Sequence, residues 1–335
     1  MALIIYLIVV GFFSFLLVLL RFLCCPHPVK IPIKGRHVFI TGGSSGIGLA
    51  LAHQAASSGA RVSILARNLS KLQEAKKAIR KATGVDVTVY SADVRDMEAV
   101  RSAIDAAGTI DVLICNQGVF TPKELLNVDM EEVKFTLDVN VVGTIHLIKA
   151  ALPKMKAAVG GLPRSIGIMS SQAGQVGIYG YTAYSASKFA LRGLAESLQQ
   201  EVISDNIHIS LIFPPDTETP GLIEEQKSRP EITNILAGSS GGLKAEDVAE
   251  KALAGIQSGN FIVSCNFLGH MLSVSTAGLS PQRSCIMAFI ELFSIGLMRF
   301  IGLCFQWNWY GVIAKYRKEQ VNKSPVTKVD TKKHA

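Results

Sequence analysis

Two kinds of apolar patterning divide this chain. Leu3 to Leu23 is an almost unbroken apolar run, LIIYLIVVGFFSFLLVLLRFL, of about 20 residues, the length at which a helix crosses roughly 30 Å of hydrocarbon. From Gly35 to about Ser264, short β-branched runs alternate with longer stretches of helical period, the pattern of a parallel sheet covered by helices on both faces. Strands are predicted at His37–Thr41, Arg61–Ala66, Asp86–Ala92, Asp111–Asn116, Ser165–Ser171, Ile207–Phe213 and Phe261–Ser264, with helices between them. Seven such strands give one doubly wound α/β domain that receives its ligand at the carboxyl ends of the strands.

Beyond Ser264 the pattern is less regular. Ser264 to Leu279 is moderately apolar, and Cys285 to Phe305 is strongly so but carries Glu291 and Arg299. Charges spaced eight apart share roughly one helical face, which favours an interfacial helix or a hairpin held against protein over a lipid-facing span. The chain therefore divides into an anchor at 1–25, a domain at 35–264, an apolar membrane-associated segment at 265–310 and a basic tail at 311–335. The tail ends KKHA, which matches the dilysine retrieval pattern of the endoplasmic reticulum; a merely solvated basic tail is the plainer alternative.

Hydrophobic residues make up 49% of the 335 and charged residues 18%, which excludes a disordered chain and leaves apolar sequence over after a core is built. The net charge of +8 looks like a nucleic-acid signal until it is placed along the chain. The first 37 residues hold four basic and no acidic side chains, the last 21 hold seven basic against two acidic, and the middle is left at −1. A near-neutral domain has no field with which to track phosphates, so nucleic acid is not expected as a partner. Basic residues follow the first apolar run and no small-residue cleavage site does, so the run reads as an uncleaved anchor with the domain in the cytosol. The six cysteines show no metal-ligand spacing, and no metal is expected. Cys24 and Cys25, beside the anchor, read as apolar filler with palmitoylation as the alternative.

The first strand runs into TGGSSGIG, Thr41 to Gly48, and then into a helix. Gly42, Gly46 and Gly48 let the backbone turn sharply and let a pyrophosphate approach the amides at the helix N-terminus, as in a Rossmann-type domain. The second strand ends with Arg67 where an acid would bind the ribose of NAD, so a 2′-phosphate and NADPH are favoured. Asp93, after the third strand, is placed to meet an adenine amino group. Tyr184 and Lys188 are i and i+4 on one helix face, and Ser171 closes a strand thirteen residues earlier. An ammonium beside a phenol is expected to lower its pKa toward neutrality, fitting Tyr184 to exchange a proton with a carbonyl oxygen that Ser171 also holds.

With Asp93, Cys115–Gly118 (CNQG), Asn140 in LDVNVVG and Tyr184 to Lys188 (YSASK), these residues resemble the short-chain dehydrogenase/reductase superfamily from about Gly35 to Ser264. The resemblance implies hydride transfer from a nicotinamide, with Tyr184 as general acid and Ser171 polarising the carbonyl. Lys188 would hold the ribose and tune Tyr184, and Asn140 would bind a proton-relaying water. It also implies cofactor contacts from Ser44, Ser45, Ile47, Val94, Asn116, Gly118, Pro214 and Thr217. The segment PPDTETPG, Pro214 to Gly221, departs from the superfamily pattern. Together with Ser170 to Leu198 and the anchor, it is similar to the 3-ketodihydrosphingosine (3-dehydrosphinganine) reductases, the plant form especially. That similarity implies reduction of a long-chain amino ketone to sphinganine at the cytosolic face of the endoplasmic reticulum membrane, and leaves a homo-oligomer open. A membrane-bound steroid or retinoid dehydrogenase is the same-fold alternative, and a catalytically silent membrane scaffold the alternative of another class. Glu218, Glu224 and Glu225 read as a solvated helix face, with contact to a substrate amine as the second reading.

Overall fold

The computed structural model describes residues 1–158, 160–238 and 242–323. In chain order its first half comprises α1 (Ala2–Leu23), β1 (His37–Thr41), α2 (Gly46–Ser57), β2 (Arg61–Ala66), α3 (Leu69–Thr83), β3 (Thr88–Ser91), α4 (Met97–Ala107), β4 (Val112–Cys115), α5 (Met130–Leu137) and α6 (Gly143–Ala157). The second half comprises β5 (Arg164–Met169), α7 (Thr182–Val202), β6 (Ile207–Phe213), β7 (Thr217–Glu218), α8 (Pro220–Gln226), α9 (Glu231–Ala237), β8 (Leu243–Lys244), α10 (Ala245–Gln257), β9 (Ile262–Ser264), α11 (Phe267–Ser275) and α12 (Cys285–Lys323). The KKHA motif lies outside the described residues.

Every residue of β1, β4, β5 and β6 is buried, as β-branched strands sandwiched between helices require. They pair in parallel in the order β3-β2-β1-β4-β5-β6-β9. The strand order reverses between β1 and β4, so their carboxyl ends flank the crevice where such sheets take ligands. One face of the sheet packs Leu51, Ala55, Val248 and Ile256 against Ile40 and Ile114; the other packs Leu147, Leu191 and Ala195 against Phe39 and Leu113. Helix ends follow local chemistry. Asn68 caps α3 by accepting from the Lys71 amide, and Asp96 caps α4 through the amides of Glu98 and Ala99.

Three features add to the sequence reading. β5 ends at Met169, so Ser171 stands two residues beyond the strand instead of closing it. A π-helical turn, Asp138–Val142, joins α5 to α6 and carries Asn140. The two-residue strands β7 and β8 form a separate small sheet, too short to show an alternation.

The C-terminal part holds α11 and then one continuous helix from Cys285, and the boundary expected at residue 310 falls inside α12. Both α1 and α12 are long and apolar enough to cross a membrane. They pack together at their domain ends: Leu20 and the buried Cys24 meet Ala288, and the Phe13 ring lies 5.7 Å from Phe289 and 5.6 Å from Phe293. Farther along, α12 lies against the domain, where the Tyr316 hydroxyl donates to Glu231 at 3.2 Å. The intervening linker is pinned by two cations. Arg192 donates to the carbonyls of Thr276 and Ala277, and Arg283 to Gln199 and the Gly259 carbonyl.

Candidate active site

The turn after β1 is as tight as its glycines allow. Gly42 and Gly46 have φ of 64° and 54°, and a Cβ on Gly48 would stand 2.2 Å from the Gly42 carbonyl oxygen. The end of β4 holds the turn in place: the Asn116 side-chain amide donates to the Thr41 carbonyl at 3.2 Å, and the Thr41 hydroxyl donates to Gln117 at 2.5 Å. Asn116 is thus a brace of the turn as well as part of its wall. Above the turn is a cavity of about 370 Å³, walled by Gly42, Ser44, Ser45, Gly46, Ile47, Arg67, Asp93, Val94, Asn116 and Gly118. Gly48 sits beneath the turn and serves it by lacking a side chain.

At the far end of this cavity Arg67 is exposed, and Lys71 of α3 stands beside it. Lys71 was not singled out from the sequence, because a lysine on an exposed helix face carries no signal until the cavity is known. Asp93 is held by Arg95, which donates to its carboxylate at 2.8 Å and depresses its pKa below the usual range. A carboxylate has lone pairs for more than one donor, so Asp93 remains able to accept from an amino group. The glycine cradle, the cavity and its cationic end fit a phosphorylated dinucleotide.

The second half of the site lies where α7 crosses the loop after β5. A Cβ on Gly174 would stand 2.5 Å from the Ser170 hydroxyl and 2.8 Å from the Lys188 carbonyl, so the glycine admits α7 close to the loop. This approach brings the Tyr184 phenol and Ser171 to the wall of one cavity. Ser171, Tyr184 and Lys188 line one cavity of about 140 Å³ with Pro214 and Thr217, which wall this side and not the dinucleotide side. Lys188 is 4% exposed, and its Nζ donates to the Met169 carbonyl at 2.9 Å.

The expected lowering of the Tyr184 pKa is not what this arrangement gives. Burial pushes the phenol up, the nearby Ser171 hydroxyl offsets only part, and the carboxylates of Glu225 and Asp216 push it further. Lys188 Nζ is 5.5 Å from the ring centroid and turned to Met169, and burial lowers its own pKa to about 8. A phenol that keeps its proton is the form a donor needs.

Asn140 reaches Lys188 only indirectly. Its side-chain oxygen accepts from the Val119 amide at 2.9 Å, and its amide donates to the Val119 carbonyl and to Ser187, each at 3.0 Å. Three of the four hydrogen bonds the side chain can make brace the loop after β4 against α7, and one lone pair of its oxygen is left over.

An apolar channel of about 440 Å³ leads away from Ser171. Ile178 and Tyr179 wall it from the domain, Leu268 and Leu272 from α11, and Met298, Gly302, Phe305 and Trp309 from α12. Arg299, exposed on α12, also borders this channel. Ile295, Leu297, Phe300 and Leu303 of α12 are exposed.

Strand order and site together define an oxidoreductase of the dinucleotide-binding α/β class. The chain belongs to the short chain dehydrogenase family, whose pattern matches residues 36–230. A 3-dehydrosphinganine reductase of Arabidopsis thaliana is 65% identical to it over 293 residues, 88% of this chain and 90% of the relative. A second from the same plant is 58% identical over 95% of this chain and 97% of the relative. One from Danio rerio is 37% identical over 92% and 95%. Among solved structures, a short chain dehydrogenase/reductase from Burkholderia phymatum in complex with NAD superposes with a TM-score of 0.62 at 24% identity, over 70% of this chain and 90% of that one. One from Sphingobium yanoikuyae in complex with NADPH gives 0.62 at 22%, over 69% and 88%. At these identities the solved structures match the fold.

Proposed function

We propose that this protein is a membrane-attached reductase that converts 3-dehydrosphinganine to sphinganine with NADPH. The observation that carries the reading is the continuity of the Ser171–Tyr184 pair with an apolar channel walled by α11 and α12. A long-chain ketone then keeps its tail between helix and domain while its carbonyl meets the acid. The relatives' names agree with this substrate.

NADPH, when bound, supplies the hydride; the chain supplies orientation and the proton. Ser171 holds the carbonyl oxygen, and the phenol of Tyr184, kept protonated by its surroundings, donates to that oxygen as negative charge develops on it. Lys188 fixes the face of α7 from below, and Asn140 keeps the loop after β4 closed over the cavity. Arg67 and Lys71 would take the 2′-phosphate.

The same reading puts the protein in the endoplasmic reticulum membrane with its domain in the cytosol. Support comes from α1 as the crossing, from Arg21 at its domain end, and from α12, whose contacts with the domain suit a helix lying in the interface. Purified full-length protein incubated with 3-dehydrosphinganine is expected to yield sphinganine by mass spectrometry, faster with NADPH than with NADH. Substituting Arg67→Glu should lower the NADPH-to-NADH ratio of kcat/KM by at least about tenfold. Steroid or retinoid turnover without sphinganine, or an Arg67 variant with an unchanged ratio, contradicts the corresponding part.

A further inference from the structure

The cavity beside Tyr184 is walled by two carboxylates, Asp216 and Glu225, and by two cations, Arg229 and Lys188, whose ammonium is turned to the Met169 carbonyl. Asp216 is matched by Arg229 at 2.7 Å. Glu225, in the last turn of α8, is not matched: it takes part in no ion pair among the described residues, and its carboxylate accepts from the phenol of Tyr181. It is nonetheless 7% exposed and lines the cavity with Ser171 and Tyr184. A carboxylate withdrawn from water costs several kcal/mol unless a cation or full hydrogen bonding compensates it, and one neutral phenol is a partial answer. Burial raises the Glu225 carboxyl above its ordinary range, a penalty that an incoming cation would relieve.

Position says which cation. The Tyr181 and Tyr184 rings are 5.6 Å apart between centroids, so Glu225 stands one aromatic ring from the proton donor. The Arg229 guanidinium, 5.5 Å from the Tyr181 ring centroid, is in direct contact with Asp216, so Glu225 feels its charge without pairing with it. In an α-amino ketone the nitrogen is carried by the carbon next to the reacting carbonyl, so a carbonyl held by Ser171 and Tyr184 brings its ammonium to this corner. We propose that Glu225 binds the ammonium of the substrate and selects α-amino ketones over plain ketones of the same length. Tyr181 orients the Glu225 carboxylate, and the Asp216–Arg229 pair closes the wall behind it. Glu218 and Glu224, from the same acidic segment, are exposed and take no part. This assignment rests on the substrate proposed above.

The test compares two ketones on the full-length protein with NADPH: 3-dehydrosphinganine, and the same molecule with hydrogen in place of the amine. The readout is the ratio of their kcat/KM values, which cancels any loss of folded protein because both are measured on one preparation. Glu225→Gln keeps an acceptor for Tyr181 while removing the charge, and is expected to lower the ratio at least tenfold. Glu225→Asp is expected to recover part of it. A ratio unchanged by Glu225→Gln overturns the role of Glu225 and leaves the reductase reading standing. Wild-type protein that reduces the deaminated ketone and not the amino ketone overturns both.

Discussion

Lys188 shows how far a single residue can be read from spacing. Its i,i+4 relation to Tyr184 places both on one face of α7, and the structure keeps them there, with Nζ 5.5 Å from the ring centroid. Spacing does not say where a four-carbon side chain ends, and this one ends on the Met169 carbonyl, so the direction of the phenol shift was not legible. Lys71 escaped, and Glu225 was read first as a solvated face, for a related reason: a charged residue on a helix looks solvated until the cover over it is known. Burying Lys188 has a measurable consequence. Its folded pKa of about 8 lies below the 10.5 of an ordinary lysine. Between those values the unfolded chain holds the extra proton, so stability rises with pH across that window. Denaturation curves of wild type and Lys188→Met, recorded from neutral pH upward, should differ in slope there by an integrated amount of up to about 3 kcal/mol. Parallel curves would mean that the ammonium is not buried as described.

At the scale of elements, the strands of the main sheet were legible as short apolar or β-branched runs, four of them buried throughout although the edge strand β3 is not, and the glycine turn because only that spacing lets β1 pass into α2. The small β7–β8 sheet and the π turn at Asn140 left no periodic trace. For α12, Glu291 and Arg299 argued for an interfacial helix or a hairpin held against protein, and the structure gives one continuous helix; the cations that pin its linker, Arg192 and Arg283, are ordinary arginines in sequence. The helix makes a prediction of its own. A side chain at Gly302 would meet nothing within 4 Å, and the residue walls the channel. Gly302→Phe should therefore lower the preference for a long-chain over a truncated amino ketone by about tenfold in kcat/KM, since each buried methylene is worth about 0.8 kcal/mol. An unchanged chain-length preference would place the tail elsewhere.

For the molecule as a whole, the apolar excess at the chain's ends and the near-neutral middle pointed to a globular domain tied to a membrane, and the structure supplies the domain together with α1 and α12, each long and apolar enough to cross one. How α1 and α12 share that task was not foretold, because length and hydropathy qualify both as spans. If α1 alone crosses, protease added to sealed microsomes should digest the domain; a protected domain would put it in the lumen. The central claim is that the buried phenol of Tyr184 gives its proton to the carbonyl of a long-chain amino ketone. Its most direct test is NADPH oxidation with 3-dehydrosphinganine by wild type and Tyr184→Phe, with cofactor binding measured on both. The account predicts steady turnover by wild type and a loss on the order of a thousandfold in kcat for the variant, which still binds NADPH. A variant that turns over at the wild-type rate would contradict it.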